Sequence, residues 1–372
     1  MNFSLKNLLN LTKDPHLVKS LIAQIKGLLS GIERPLKIME FCGGHTHSLL
    51  KYGLDEALKP EIEFLHGPGC PVCVLSLERL NFALKIAAKE EVIFTTYGDL
   101  MRVPNPEGLS LLALRAKGRN VRMVSNAMEA LNFAKENPQK LVVFFALGFE
   151  TTTPQTAFLI ERARAEKIHN LKVVSNHMLT PAVLDFLLTK NGVDMDGIIG
   201  PGHVSAVIGA EAYENVTMKF NLPMVISGFE PIDILLAVKL LVEKILNKEK
   251  GVFIAYERAV KYGGNLTAKE LINKVFKVRE SFPWRGLGEV PFSGLSIKEE
   301  YENWDGERIF DIPESKENSK GCLCGIILQG KAKPKDCKLF GKVCTPGTPI
   351  GPCMVSSEGA CLAYFKYKGF SS

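Results

Sequence analysis

Nine short apolar runs, rich in β-branched residues, punctuate the chain between residues 36 and 257: LKIMEF (36–41), IEFLH (62–66), EVIFTTY (91–97), VRMVS (121–125), LVVFFAL (141–147), LKVVS (171–175), GIIG (197–200), PMVISG (223–228) and VFIAY (252–256). Most are continuously apolar rather than alternating, the pattern of strands covered on both faces. Helical patterns fill the gaps. Leu77, Leu80, Leu84 and Ala87 share a face over 75–89. Thr180-Pro181 reads as an N-cap and a first-turn proline opening a helix over 181–190. This alternation predicts an α/β fold of doubly wound parallel sheets with right-handed crossovers. VRMVSNAMEALNFA (121–134) also resembles LKVVSNHMLTPAVLDFL (171–187), and each is followed by a strand ending in glycine, as one duplicated α/β unit would produce.

The character changes after residue 258. Glycine, proline and charge increase in KYGGN (261–265), FPWRGLGEVPFSGL (282–295) and PESKENSKG (313–321). Six of the nine cysteines follow: Cys322, Cys324, Cys337, Cys344, Cys353 and Cys361. The other three, Cys42, Cys70 and Cys73, lie early, and none falls between 74 and 321. The 372 residues therefore divide into two α/β domains, 1–118 and 119–250, and a cysteine-rich region, 251–372. The last is expected to be a separate, loop-rich domain that needs a metal or disulfides to hold it. An odd cysteine count, and an N-terminus (MNFSLKNLLNLTKDP) without a secretory pattern, argue against a secreted disulfide scaffold. The apolar runs are too short to span a membrane. The net charge of +6 is scattered, without the clustered basic patch of a nucleic-acid binder.

Three constellations carry chemistry. FCGGHTHS (41–48) follows a strand, so Cys42 sits where α/β proteins place their ligands. Gly43 and Gly44 permit close approach, and Cys42 with His45 can face one metal, thiolate beside imidazole. A helix start there would lower the thiol pKa. HGPGCPVCV (66–74) sets Cys70 and Cys73 as a C-x-x-C at a helix N-terminus, the thiol-redox arrangement, with half a zinc knuckle as the alternative. The six late cysteines supply four thiolates for an iron–sulfur cluster with two left over, or a four-cysteine zinc site. GFETTTP (148–154), GPGHVSA (200–206) and SGFEP (227–231) are strand–glycine–helix junctions without a nucleotide fingerprint. Capping accounts for Glu150, His203 and Glu230 as well as catalysis does.

Taken together, CGGHTH, GPGCPVC, GFETTTP, SNH, GPGHVS, ISGFEP, WRGLG and the ending MVSSEGAC with its preceding cysteines closely resemble the HypD family of hydrogenase maturation factors, over about residues 36–365. The resemblance implies a cytoplasmic factor that helps build the Fe(CN)2CO unit of nickel–iron hydrogenase. It implies that the iron is held jointly with a partner, HypC, and that cyanide arrives from HypE. It implies two α/β domains and a domain carrying a 4Fe–4S cluster. By motif, Cys42 would be the thiolate on iron with His45 beside it, Cys70 and Cys73 the redox pair, and Glu358 a neighbour of the same cleft. The ending also looks like the cluster centre of ferredoxin:thioredoxin reductase. On that likeness Cys322, Cys337, Cys344 and Cys361 ligate the cluster, and Cys324 and Cys353 form an adjacent disulfide. Two competing readings are a free-standing, cluster-dependent thiol–disulfide oxidoreductase and a zinc-stabilised binding module.

Overall fold

All nine apolar runs form strands: β1 (Leu36–Glu40), β2 (Ile62–His66), β3 (Val92–Tyr97), β4 (Val121–Val124), β5 (Leu141–Gly148), β6 (Leu171–His177), β7 (Gly197–Pro201), β8 (Pro223–Ser227) and β9 (Gly251–Ile254). The structure, a computed structural model, describes residues 14–192, 194–315 and 321–369. The N-terminal stretch expected to lack a secretory pattern lies almost wholly outside them, as do residues 316–320 of the stretch PESKENSKG. The strands build two parallel sheets, ordered β2-β1-β7-β8-β9 and β4-β3-β5-β6. Most strand residues are buried, because helices cover both faces. No helix among the described residues is long and apolar enough to cross a membrane.

The sheets do not divide the chain at residue 118. β3 belongs with β4–β6, while β7, β8 and β9 return to pair with β1 and β2. The first sheet is therefore discontinuous in sequence, and the second is inserted into it. The apparent duplication also dissolves. β4 and β6 are opposite edges of one sheet, but the glycine-ended strands that follow, β5 and β7, lie in different sheets. The helix over 75–89 is Leu77–Ala87, capped by Ser76, whose hydroxyl accepts the Arg79 N–H. Thr180 is the first residue of its helix rather than the N-cap, and its own N–H is taken up by Glu150 (2.8 Å).

Beyond residue 258 the chain is loop-rich, as expected, but not separate. The short strands β10 (Phe276–Val278), β11 (Ser281–Trp284), β12 (Gly288–Pro291) and β13 (Leu295–Ile297) form two antiparallel ribbons. Phe276, Leu295, Ile297, Tyr301 and Trp304 join the core of the second sheet. Trp284, fully buried, stacks on Phe149 (6.0 Å). The cysteine loops share one core with Leu65, Phe82 and Phe145, so existing apolar layers hold the region.

A buried ion cluster fastens this region down. Arg79, 1% exposed, donates to Asn176 Oδ1 (2.6 Å), to the Ser175 carbonyl (3.0 Å) and to Glu307 Oε1 (2.5 Å). Arg279 shares the same Glu307 oxygen (2.8 Å). Removing one partner of a buried ion pair strands the other, so Arg79→Ala should lower the unfolding free energy by about 3–5 kcal/mol. Anaerobic urea denaturation measures it; a loss below about 1 kcal/mol would mean that the cluster is not what secures residues 279–307.

Candidate functional site

Each sheet has one place where neighbouring strands send their connections in opposite directions: between β1 and β7, and between β3 and β5. Open α/β sheets bind ligands at the carboxyl ends of such strands. Here both switch points open on one cleft of about 260 Å³. Cys42 and His203 enter it from beyond β1 and β7, Tyr97 and Asp99 from the end of β3, Thr151 and Thr152 from beyond β5, and Glu358 from the C-terminal segment.

Cys42 is half-buried and precedes the helix Gly43–Lys51. Its loop hangs on a buried carboxylate at the end of β1. Glu40, fully buried, accepts the Cys42 N–H (3.3 Å), the Thr46 hydroxyl and His66 Nδ1 (2.7 Å). His66 Nε2 meets the Tyr364 hydroxyl (3.2 Å) on the C-terminal helix Ala360–Tyr367. His47, the second histidine of the motif, meets Tyr367 on that same helix (3.2 Å). Glycine is required at two positions. A Cβ on Gly43 would overlap the Glu358 backbone, and one on Gly69 would overlap the Cys42 backbone. The Cys42 loop is thus pressed between the C-x-x-C loop and the Glu358 loop. The expected lowering of the thiol pKa is not what results: burial, then the Glu358 charge, push Cys42 up, against the amides of Gly44 and His45.

His45 and His203 exchange expected positions. His45 is fully buried, and its Nε2 lies 3.0 Å from the Gly228 carbonyl and 3.3 Å from that of Ser227. Its ring stacks on Phe229 (4.7 Å), and burial lowers its pKa to about 4. It does not line the cleft; His203 does, stacked on the other face of Phe229 (4.0 Å). Of the three residues for which capping weighed at least as much as catalysis, Glu230 precedes the helix Pro231–Leu246 and gives its N–H to Asp233 (3.3 Å), and Glu150 holds the start of the helix Thr180–Asn191. Among the described residues the His203 side chain caps no helix. Tyr97 and Asp99 carried no motif signal. Asp99 accepts the Ser356 hydroxyl (2.8 Å), and Ser356 accepts the Glu358 N–H (3.2 Å). Burial, with Asp99 nearby, raises the Glu358 carboxyl to about 7.

The thiols gather in the core behind this cleft. Cys70 and Cys73 form a disulfide, and Cys70 caps the short helix Pro71–Val74. That helix packs against the turn Pro352–Met354, which carries Cys353. The thiols of Cys324 and Cys353 touch each other, and both touch Cys361. Cys322 meets Cys324, and Cys344, whose sulfur accepts the Ile350 N–H (3.3 Å), is close enough to feel the charge of both. Gly351 backs onto the sulfurs of Cys322 and Cys324, at 2.6 and 2.7 Å from where its Cβ would stand. Cys324 and Cys353, expected as a disulfide, are free thiols here. Cys337 is buried after the turn Pro334–Asp336, and the thiol contacts run among Cys322, Cys324, Cys353 and Cys361. Among the described residues no three Cys, His, Asp or Glu side chains are arranged around a single metal ion. A four-iron cluster spreads its thiolates around an inorganic core instead, and buried free thiols walled by Leu328, Leu323 and Phe340 are its chemical donor set.

Glu150 yields a test of the buried electrostatics. It is 3% exposed, and burial raises its carboxyl to about 7. A raised acid pKa favours the folded state while the group is protonated. Stability from this group is complete below about 4.5 and falls as pH rises through about 7. Across that window the fall should be on the order of 3 kcal/mol. Glu150→Gln keeps the acceptor for Thr180 and should flatten the slope in urea denaturation at pH 5 and pH 8. An unchanged slope would mean that the carboxyl is not perturbed.

The chain matches a known group of proteins. The HypD family, described as the hydrogenase formation hypA family, matches residues 16–368. Hydrogenase maturation factor HypD2 of Bradyrhizobium diazoefficiens is 47% identical over 344 residues, covering 91% of this chain and 90% of that protein. Hydrogenase maturation factor HypD of Cupriavidus necator is 44% identical, covering 96% of each. HypD of Escherichia coli is 44% identical, covering 95% of this chain and 96% of its own. By its matched length and this identity, the chain belongs to the HypD family of hydrogenase maturation factors.

Proposed function

We propose that the chain is an assembly scaffold with redox function, holding the iron of the Fe(CN)2CO unit between Cys42 and HypC while HypE supplies cyanide. The observation that carries this reading is the cleft itself: one half-buried, unbridged cysteine at two converging switch points, with a disulfide and a set of buried free thiols packed behind it. A single thiolate leaves most of an iron ion's coordination sphere open, and the partner's donor completes it. The iron complex is cargo here, not a resident cofactor.

The chain's own residues divide the work. Glu40 fixes the backbone of Cys42. Gly43 and Gly69 let two loops close on it. Glu358 and Asp99 make the far wall polar. The resident group proposed at the late cysteines is a 4Fe–4S cluster, with Cys322, Cys344 and Cys361 among its ligands, which supplies electrons one at a time when bound. Reduction of the Cys70–Cys73 disulfide consumes two electrons and two protons and yields two thiols. Cys353 stands between the cluster cysteines and that pair, where sulfur-to-sulfur exchange needs it. A free-standing thiol–disulfide oxidoreductase would use the same disulfide but leaves the unbridged Cys42 without a task.

Two variants test the reading. In the anaerobically purified complex with HypC, Cys42→Ala should abolish the cyanide and CO infrared bands and leave the brown cluster absorbance intact. Bands that persist in that variant would place the iron elsewhere. Cys73→Ser should keep the cluster and partner binding but fail to mature hydrogenase in cells; normal hydrogenase activity would remove the thiol relay from the scheme.

A further inference from the structure

We propose that His203, rather than His45, is the imidazole with which the chain takes hold of the iron complex opposite Cys42; this rests on the reading of Cys42 as an iron thiolate. The backbone already brings the two residues to one place. β1 and β7 are paired neighbours, with Glu40 opposite Ile199, and the Phe41 N–H donates to the Ile199 carbonyl (3.0 Å). Adjacent parallel strands lie about 4.8 Å apart. The segments that leave their ends, Cys42-Gly43 and Gly202-His203, therefore emerge side by side at the switch point. Both Cys42 and His203 line the cleft.

The two histidines differ in which ring edge reaches the cleft: His45 Nδ1 has no partner among the described residues but is buried away from the cleft lining, whereas His203 lines the cleft. His45 is engaged at Nε2 by the carbonyls of Ser227 and Gly228, and Phe229 lies on its face. To bind iron through Nε2 it would have to give up the Ser227 carbonyl and its share of the Gly228 carbonyl, which also accepts the Ser227 hydroxyl (2.9 Å). His203 uses only its flat face, against Phe229 at 4.0 Å and 29°. No described residue hydrogen-bonds its ring nitrogens. Stacking thus fixes the ring plane while the nitrogen-bearing edge stays available. A neutral imidazole is a borderline donor suited to iron, and it complements a soft thiolate on the same ion. The Phe229 sandwich gives the roles their order: His45 is the inner layer that positions Phe229, Phe229 positions His203, and His203 faces the cargo. The class of ligand is a small iron(II) complex carrying diatomic ligands, which a cleft of about 260 Å³ accommodates.

His203→Phe is the informative variant, because it keeps the stack on Phe229 and removes both nitrogens. In the anaerobic complex with HypC it should retain the cluster absorbance and partner binding. Its iron content and cyanide and CO bands should fall about tenfold or more, and any residual bands should shift. Unshifted bands at full intensity would overturn the proposal. Cys42→Ala is run beside it: if the bands survive there, the Cys42 reading fails by itself, whereas bands lost in Cys42→Ala but kept in His203→Phe sink only the role of His203. A second measurement needs no variant. Diethyl pyrocarbonate should modify His203 in the iron-free complex with HypC and leave it protected in the iron-loaded one, as read by mass spectrometry. Equal modification of His203 in both states would refute the assignment even if His203→Phe failed to fold.

Discussion

The pairing of β1 with β7 is the constraint on which the rest of the molecule depends. It joins residues 36–40 to residues 197–201 and encloses the whole second sheet between them. Because β2 follows on one side of β1 and β8 on the other side of β7, the connections diverge there and leave a crevice. The inserted sheet has its own divergence between β3 and β5, and the two crevices face each other. A cleft built this way takes its walls from segments far apart in sequence. Each wall is rigid because a buried parallel strand ends directly beneath it.

Buried polar groups tie the C-terminal segment to this frame. Glu40 is surrounded by donors, and through His66 its hydrogen bonds reach Tyr364. Arg79 and Glu307 do the same between the second sheet and the ribbons. A buried charge without partners costs several kcal/mol, so each such group admits few arrangements of its neighbours. The helix that bears Cys361 is therefore placed by the sheet that bears Cys42. That is why a cysteine-rich segment without a large core of its own has a definite position.

The proposed sulfur chemistry depends on that position. Thiol exchange requires contact between sulfurs, and electron supply through a cluster requires a short path. The turn with Cys353 packs on the helix that begins after Cys70, and the loop before Cys70 packs on Cys42. Three sulfur stations thus lie in sequence across the core without any long mobile arm.

What the sequence determined by itself was local and periodic. The nine apolar runs became nine strands because a strand buried on both faces must be continuously apolar, whatever its neighbours are. Cys42 and Cys70 stood out in the sequence because glycine-flanked motifs at strand ends have few other uses, whereas Glu358 was marked only by the family likeness. The order of strands was not legible, since β3 and β7 look alike as runs of residues, and only packing decides which sheet each one joins. For the same reason 251–372 looked like a separate domain, although its aromatic residues fill the cores of the sheets. The histidines show the limit most clearly. His45 stands in the stronger motif, yet tertiary structure turned it inward onto the carbonyls of Ser227 and Gly228. His203, with only a turn motif around it, was brought to the cleft by the pairing of β1 with β7. Side-chain direction at a strand end depends on what packs against it, and those partners lie about 160 to 185 residues away in this chain.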